Sequence, residues 1–259
     1  MFNNYKSLLQ GFFYKVLSQN NPDFAKFIHD EGYKLEGEKT FKHTVISDLF
    51  YERKMGFRGK SDFEIKEGDT AYLHISFSVN EIGENFIKGL FQSKEDRLGK
   101  MFFMIENIQS ISQPVFQKTM QYELLSPVFL KRGRQEIVDG KKNDFIHPCS
   151  RNRKFQKNFY EEYEYYLIEN IKSKIKSLVL HDKIENTEGF LENEINFQLN
   201  KYYGSRNERA KFMEKESTII THYYDFTVTA PIEVHEVLYK SGLGMLNTLG
   251  LGMVEVKNI

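Results

Sequence analysis

The apolar positions of this chain change period several times. Between Tyr5 and Ser18, Leu8, Leu9, Phe12, Phe13, Val16 and Leu17 recur every three to four residues, which predicts a helix. Asn21-Pro22 reads as an N-cap with proline at the first helical position. A short helix is therefore expected from Pro22 to Glu31, closed by Gly32. From Phe41 to Tyr51 and from Thr70 to Val79 the period drops to two, with Leu73, Ile75, Phe77 and Val79 on one face. Asn80 is expected to cap a helix bearing Ile82, Phe86, Ile87, Leu90 and Phe91, and Lys100 to Ile108 reads as a further strand.

The second half runs through the same kinds of element. Val115 to Leu130 is strand-rich, with Ser126-Pro127 near its end. Lys131 to Phe145 reads as a basic hairpin turning at Asp139-Gly140. Lys154 to Leu180 predicts a long helix with Phe159, Tyr163, Tyr166, Leu167, Ile171, Ile175 and Leu178 as its apolar stripe. Strands follow at Glu194 to Asn200 and Thr218 to Thr229, then a helix at Pro231 to Lys240 and a strand at Gly252 to Lys257. A ferredoxin-like domain runs strand-helix-strand-strand-helix-strand. The expected fold is therefore α+β, with two tandem ferredoxin-like (RRM-like) domains, residues 1–112 and 113–259. The first lacks its initial strand: either the start is truncated or another segment fills the slot.

At 259 residues the chain has room for two domains of about 130 residues. No apolar run approaches the ~20 residues of a membrane span, and the N-terminus lacks a signal-peptide layout. Cys149 is the only cysteine, which suits a reducing, cytoplasmic setting. The histidines show no His-x-x-x-His or paired-carboxylate spacing, so neither a metal nor a cofactor is expected. Net charge is zero, but the basic residues are unevenly spread. Lys131, Arg132, Arg134, Lys141, Lys142, Arg151, Arg153, Lys154 and Lys157 fall in one region that holds few acids. Such a cluster is a candidate phosphate-binding patch.

Glycines punctuate the C-terminal stretch: Gly242-Leu243-Gly244, Asn247-Thr248, Gly250-Leu251-Gly252, then Met253-Val254-Glu255-Val256. A dinucleotide or triphosphate loop needs the order strand, loop, helix. Here a helix precedes the glycines and a strand follows, so that reading is set aside. Glycine-rich backbone is expected to offer bare N–H groups to some other anion. Helical phase singles out two more residues. Tyr14 lies about 150° from the apolar stripe of the first helix, and His29 about 140° from that of the second. Both are expected to leave the core.

The glycine pattern, with Leu9-Gln10-Gly11-Phe12-Phe13-Tyr14 and Asn21 to Asp30, resembles the CRISPR-associated endoribonucleases that cut repeat RNA, members of the RAMP superfamily. The resemblance covers essentially the full length, with its specific motifs at the two ends. It implies Tyr14 and His29 as catalytic, with Lys42 as the third member and Lys39 as its alternate. It implies metal-independent cleavage of CRISPR precursor RNA within repeats, by attack of a 2′-hydroxyl, leaving 5′-hydroxyl and 2′,3′-cyclic phosphate ends. Such chemistry needs a proton acceptor, a proton donor and a cation for the phosphorane. Gly242, Gly244, Gly250 and Gly252 are expected to hold RNA through the backbone, Asn247 to contact a base, and Lys131, Arg132, Arg134, Lys141 and Lys142 to grip the phosphates. Subunits of a CRISPR effector complex and a second copy of the chain are further expected partners. The alternative is a non-catalytic RNA-binding homologue, which His29 argues against.

Overall fold

The computed structural model describes residues 5–35, 39–51, 67–93, 96–132, 137–138, 141–142, 145–149, 159–185, 194–212 and 215–257. Helix α1 (Tyr5–Asn20) buries Tyr5, Leu9, Phe13, Val16 and Leu17, the stripe its periodicity marks. Asn21 caps α2 (Pro22–Lys26), its side-chain oxygen accepting from the Phe24 N–H at 3.0 Å. The chain then widens into a π-helical turn, Phe27–Glu31, that ends at Gly32.

Short strands follow. β1 (Tyr33–Lys34) pairs with β2 (Thr40–Phe41). β3 (Thr44–Ile46) and β4 (Phe50–Tyr51) pair with β6 (Ile75–Phe77) and β5 (Ala71–Tyr72), as the two arms of one antiparallel ribbon. Helix α3 (Asn80–Gln92) has Val79 at its cap position, so Asn80 is its first residue and not the expected cap. The strand expected at residues 100–108 is also shorter. β7 (Asp96–Leu98) turns back at Gly99, φ +65°, and pairs with β8 (Met101–Phe103). A local hairpin satisfies this backbone without a longer sheet.

The second half is a complete ferredoxin-like domain. β9 (Thr119–Leu124) leads to the small ribbon β10 (Ile137–Val138) and β11 (Lys141–Lys142), then to α4 (Glu161–Leu180). β12 (Asn196–Phe212), β13 (Lys215–Thr229), α5 (Ile232–Ser241) and β14 (Val254–Val256) follow. The sheet order β12-β13-β9-β14, antiparallel throughout, is second-third-first-fourth for a strand-helix-strand-strand-helix-strand chain. β12 runs well past Asn200, because Arg206 and Glu208 break the apolar alternation but still face inward. The turn expected at Asp139-Gly140 and the start of the long helix at residues 154–158 lie outside the described residues.

The halves share one core. Phe13, Ile46, Ile82 and Phe86 pack in the same cluster as Tyr122, Leu167, Phe226 and Leu238. A buried polar clasp adds to it. Asp48 accepts from Tyr5 Oη at 2.8 Å and also bonds Lys6 and Tyr223, while Arg206 Nη1 lies 3.9 Å away. Two cations, Lys6 and Arg206, thus face two carboxylates, Asp48 and Glu208, across the junction.

Candidate active site

A cleft of about 570 Å³ opens where α1, the π-turn, residues 39–44, α4 and the glycine-rich segment meet. Among the described residues, five basic side chains line it, Lys39, Lys42, Lys131, Arg132 and Lys174, against the single carboxylate Glu169. A neutral chain therefore carries a locally basic cleft, which suits a polyanion. A second hollow, of about 610 Å³, is lined by Phe91, Phe102, Asp96 and Met104 to Ile108, and among the described residues no basic side chain lines it.

Lys6, Gln10 and Tyr14 are spaced by four and so share one side of α1. All three face the glycine-rich segment. Lys6 Nζ donates to the Gly250 carbonyl at 2.6 Å, and Gln10 Nε2 to Thr248 Oγ1 at 3.0 Å. Tyr14 is half-buried: burial pushes its phenol up to about 12, opposed by a hydrogen bond with Thr248. Phase placed Tyr14 off its own helix stripe, but the second half of the chain covers it.

His29 stays exposed on the π-turn, and its ring meets the Tyr14 ring edge-on at 4.8 Å between centroids. Its Nδ1 lies 2.7 Å from Asp30 Oδ1. The hydrogen bond to His29 is the main reason that the Asp30 carboxyl is held below its ordinary value. A carboxylate on Nδ1 favours the tautomer that leaves Nε2 free to accept a proton. Sequence reasoning missed Asp30, although it adjoins the histidine.

Lys42 Nζ donates to the His29 carbonyl at 2.8 Å, which ties it to the turn bearing the imidazole. Burial pushes its ammonium down to about 8. Lys39 instead reaches across the cleft to Ser173 Oγ at 3.5 Å. Of the two lysines, Lys42 is the one beside His29.

The glycine segment is built differently from the expectation. All four glycines have positive φ, and a Cβ on Gly252 would lie 1.8 Å from the Leu243 carbonyl oxygen. The N–H groups of Gly242, Gly250 and Gly252 are already donated, to Leu238, Asn247 and Pro127, at 2.9–3.1 Å. They are therefore not free for an anion, because backbone so tightly folded must satisfy its own donors. Asn247 is likewise turned inward, and its Nδ2 donates to the Leu243 and Leu251 carbonyls at 3.2 and 2.9 Å. The segment forms a shaped wall, with Gly244 to Thr248 lining the cleft.

Lys174 locks that wall. Fully buried on α4, its Nζ donates to the carbonyls of Ser241 (3.1 Å) and Gly242 (2.6 Å) and to Asn247 Oδ1 (2.8 Å). Burial pushes the ammonium down to about 7, while three oxygen acceptors favour its charged form. Sequence reasoning missed it, although its spacing, three residues after Ile171 and four before Leu178, is that of a core-facing position. Nearby, His43 is buried between Ser177 and Ser241 and pushed down to about 3 by burial, so it is neutral.

The basic hairpin contributes unevenly. Lys131 and Arg132 line the cleft, but Arg132 forms a two-point ion pair with Glu162, at 2.5 and 2.7 Å. Arg134 lies outside the described residues, as do the side chains of Lys141 and Lys142. Among the described residues no three His, Cys, Asp or Glu side chains cluster in a way that could hold a metal ion, and no helix is long and apolar enough to cross a membrane.

Two family models match the chain. The N-terminal model of CRISPR-associated protein Cas6 covers residues 2–109, and the C-terminal model covers residues 111–256. The chain belongs to the Cas6 family of CRISPR-associated endoribonucleases. It is 28% identical over 257 residues to the CRISPR-associated endoribonuclease Cas6 1 of Methanocaldococcus jannaschii, spanning 97% of this chain and 85% of that protein. In fold it is similar to the product of a Cas6-related gene from Pyrococcus furiosus, with a TM-score of 0.66, 16% identity, and 98% and 91% of the two chains covered. It is similar also to a RAMP protein binding different RNA substrates, with a TM-score of 0.66, 14% identity and 98% and 92% coverage.

Proposed function

We propose that this protein cleaves CRISPR precursor RNA within its repeats, without a metal ion, at the cleft between the two halves. The observation that carries the reading is the convergence of Tyr14, His29 and Lys42, from three separate elements, at the mouth of a basic cleft. In the proposed step the 2′-oxygen bonds to phosphorus while the bond from phosphorus to the 5′-oxygen breaks. His29 Nε2, backed by Asp30, takes the 2′-hydroxyl proton. Tyr14 donates a hydrogen bond to the phosphate or its leaving oxygen, and the Lys42 ammonium offsets the charge of the phosphorane. The leaving 5′-oxygen takes a proton from water and His29 returns its proton to the solvent, giving 5′-hydroxyl and 2′,3′-cyclic phosphate ends.

Residues 1–112 are proposed as the half that carries the catalytic groups, and residues 113–259 as the half that holds RNA. Gly244, Asn247, Thr248, Lys131 and the hairpin residues Arg134, Lys141 and Lys142 are the proposed RNA-facing set. Gly242, Gly250 and Gly252 shape the wall, and Arg132 acts once released from Glu162. Repeat RNA is the proposed partner and the cytoplasm the proposed compartment. Effector-complex subunits and a second copy of the chain are further proposed partners; a monomer in light scattering rejects the second copy.

End analysis tests the chemistry. Downstream products should accept a 5′ label from polynucleotide kinase without prior phosphatase, and upstream products should gain a free 3′-hydroxyl only after removal of the cyclic phosphate. Products that carry 5′-phosphates contradict 2′-hydroxyl attack.

A further inference from the structure

The wall of the cleft opposite His29 belongs to α4, where Tyr166, Glu169, Asn170 and Ser173 share one side by their three- and four-residue spacing. Asn170 stands out. Its Oδ1 is fully buried and has no hydrogen-bond partner. A buried amide oxygen left unpaired is rare and costly. The terminal torsion of asparagine is broad, so a turn of the amide presents either its donor or its acceptor end to the cleft. One turn away, the half-buried Tyr166 ring lines the same wall.

The charge pattern says what this wall receives. Glu169 adjoins Asn170, and the α4 cation that lines the cleft, Lys174, gives its three N–H bonds to Ser241, Gly242 and Asn247, so the α4 wall around Asn170 attracts phosphate less than the facing segment, where Lys42 stands beside His29. A polyanion lying in this cleft turns its phosphates toward that segment and its neutral bases toward α4. An amide carries a donor beside an acceptor, the pattern of a base edge, and an aromatic ring offers a stacking face. We propose that Tyr166 and Asn170 form a nucleobase subsite, where Tyr166 stacks on one unpaired base next to the scissile phosphate and Asn170 reads its edge. The proposal rests on the reading of this cleft as the RNA-cleaving site.

The test uses the repeat RNA with a 2′-deoxy nucleotide at the cut, so that binding is measured without cleavage. Each of the four bases is placed in turn on either side of the cut. Wild type should prefer one base at one of these positions by about 5- to 150-fold. Asn170→Ala should abolish that preference by weakening only the preferred RNA, and Asn170→Asp, an acceptor-only analogue of the same shape, should change which base is preferred. Tyr166→Leu should weaken all four RNAs alike, because stacking tolerates any base. A wild-type preference kept by Asn170→Ala overturns the inference, and so does an equal weakening of all four RNAs by Asn170→Ala. Binding discrimination is independent of cutting, so failure of the catalytic reading shows separately, as wild-type protein that discriminates but leaves the all-ribose RNA intact.

Discussion

Lys174 Nζ lies 2.8 Å from Asn247 Oδ1, and the same ammonium donates to the carbonyls of Ser241 and Gly242. One buried cation on α4 thereby joins the end of α5 to the turn that faces Tyr14. Lys174→Met leaves three buried acceptors without a donor, each costing about 1–3 kcal/mol. At the low end this predicts a loss of about 3 kcal/mol, and a melting temperature lower by about 6–12 °C for a chain of this size. Thermal unfolding checks it.

The glycines offer a contrast between two identical chemical changes. Gly252→Ala drives a methyl to 1.8 Å from the Leu243 carbonyl at a φ of +76° and should strongly destabilise the fold. At Gly11, on the exposed side of α1, a Cβ meets nothing within 4 Å. Gly11→Ala should gain about 0.5–1 kcal/mol from helix propensity alone. Parallel denaturant titrations of the two variants should move in opposite directions.

Asp48 is the hub of the clasp between the halves. Asp48→Asn leaves Lys6 and Arg206 in the interior with Glu208 as the remaining carboxylate of the clasp. Breaking a buried pair in this way costs about 3–5 kcal/mol. Urea unfolding should show a lower midpoint for this variant.

The alkaline limb of the pH–rate profile should report Lys42. Burial pushes its ammonium down to about 8, so the single-turnover rate should fall as pH rises through that value. Lys42→Arg keeps the charge and should move the limb upward. Linkage separates this loss from unfolding. The folded-state pKa lies below the unfolded one, so this group's contribution to stability is present at high pH and lost as pH falls through about 8. A profile unchanged by Lys42→Arg assigns the limb to another group.

Much of the second half was legible because its elements are long. The strands at 119–124 and 215–229 and the helix at 161–180 show clear periods, and their order fixes the sheet. The first half was less legible: its strands run to two or three residues, too short for alternation to set their ends. Phase and resemblance mark Tyr14 and His29, resemblance alone marks Lys42, and the structure brings all three together. The glycines were read as open donors because sequence shows that φ > 0 is permitted but not where the N–H groups go. Asn170 stayed invisible for a related reason: an orphaned amide is a fact of its surroundings, not of its spacing.

The pairing of His29 with Tyr14 is central, and one measurement addresses it directly: cleavage of the host's CRISPR repeat RNA in EDTA by wild type and by His29→Ala. The account predicts site-specific cutting by wild type, and its loss by at least about a hundredfold in the variant, the low end of what a general acid or base contributes, with RNA binding retained. Equal cutting by both proteins contradicts the assignment of His29. Tight binding without cutting by either identifies a non-catalytic RNA-binding member of the family.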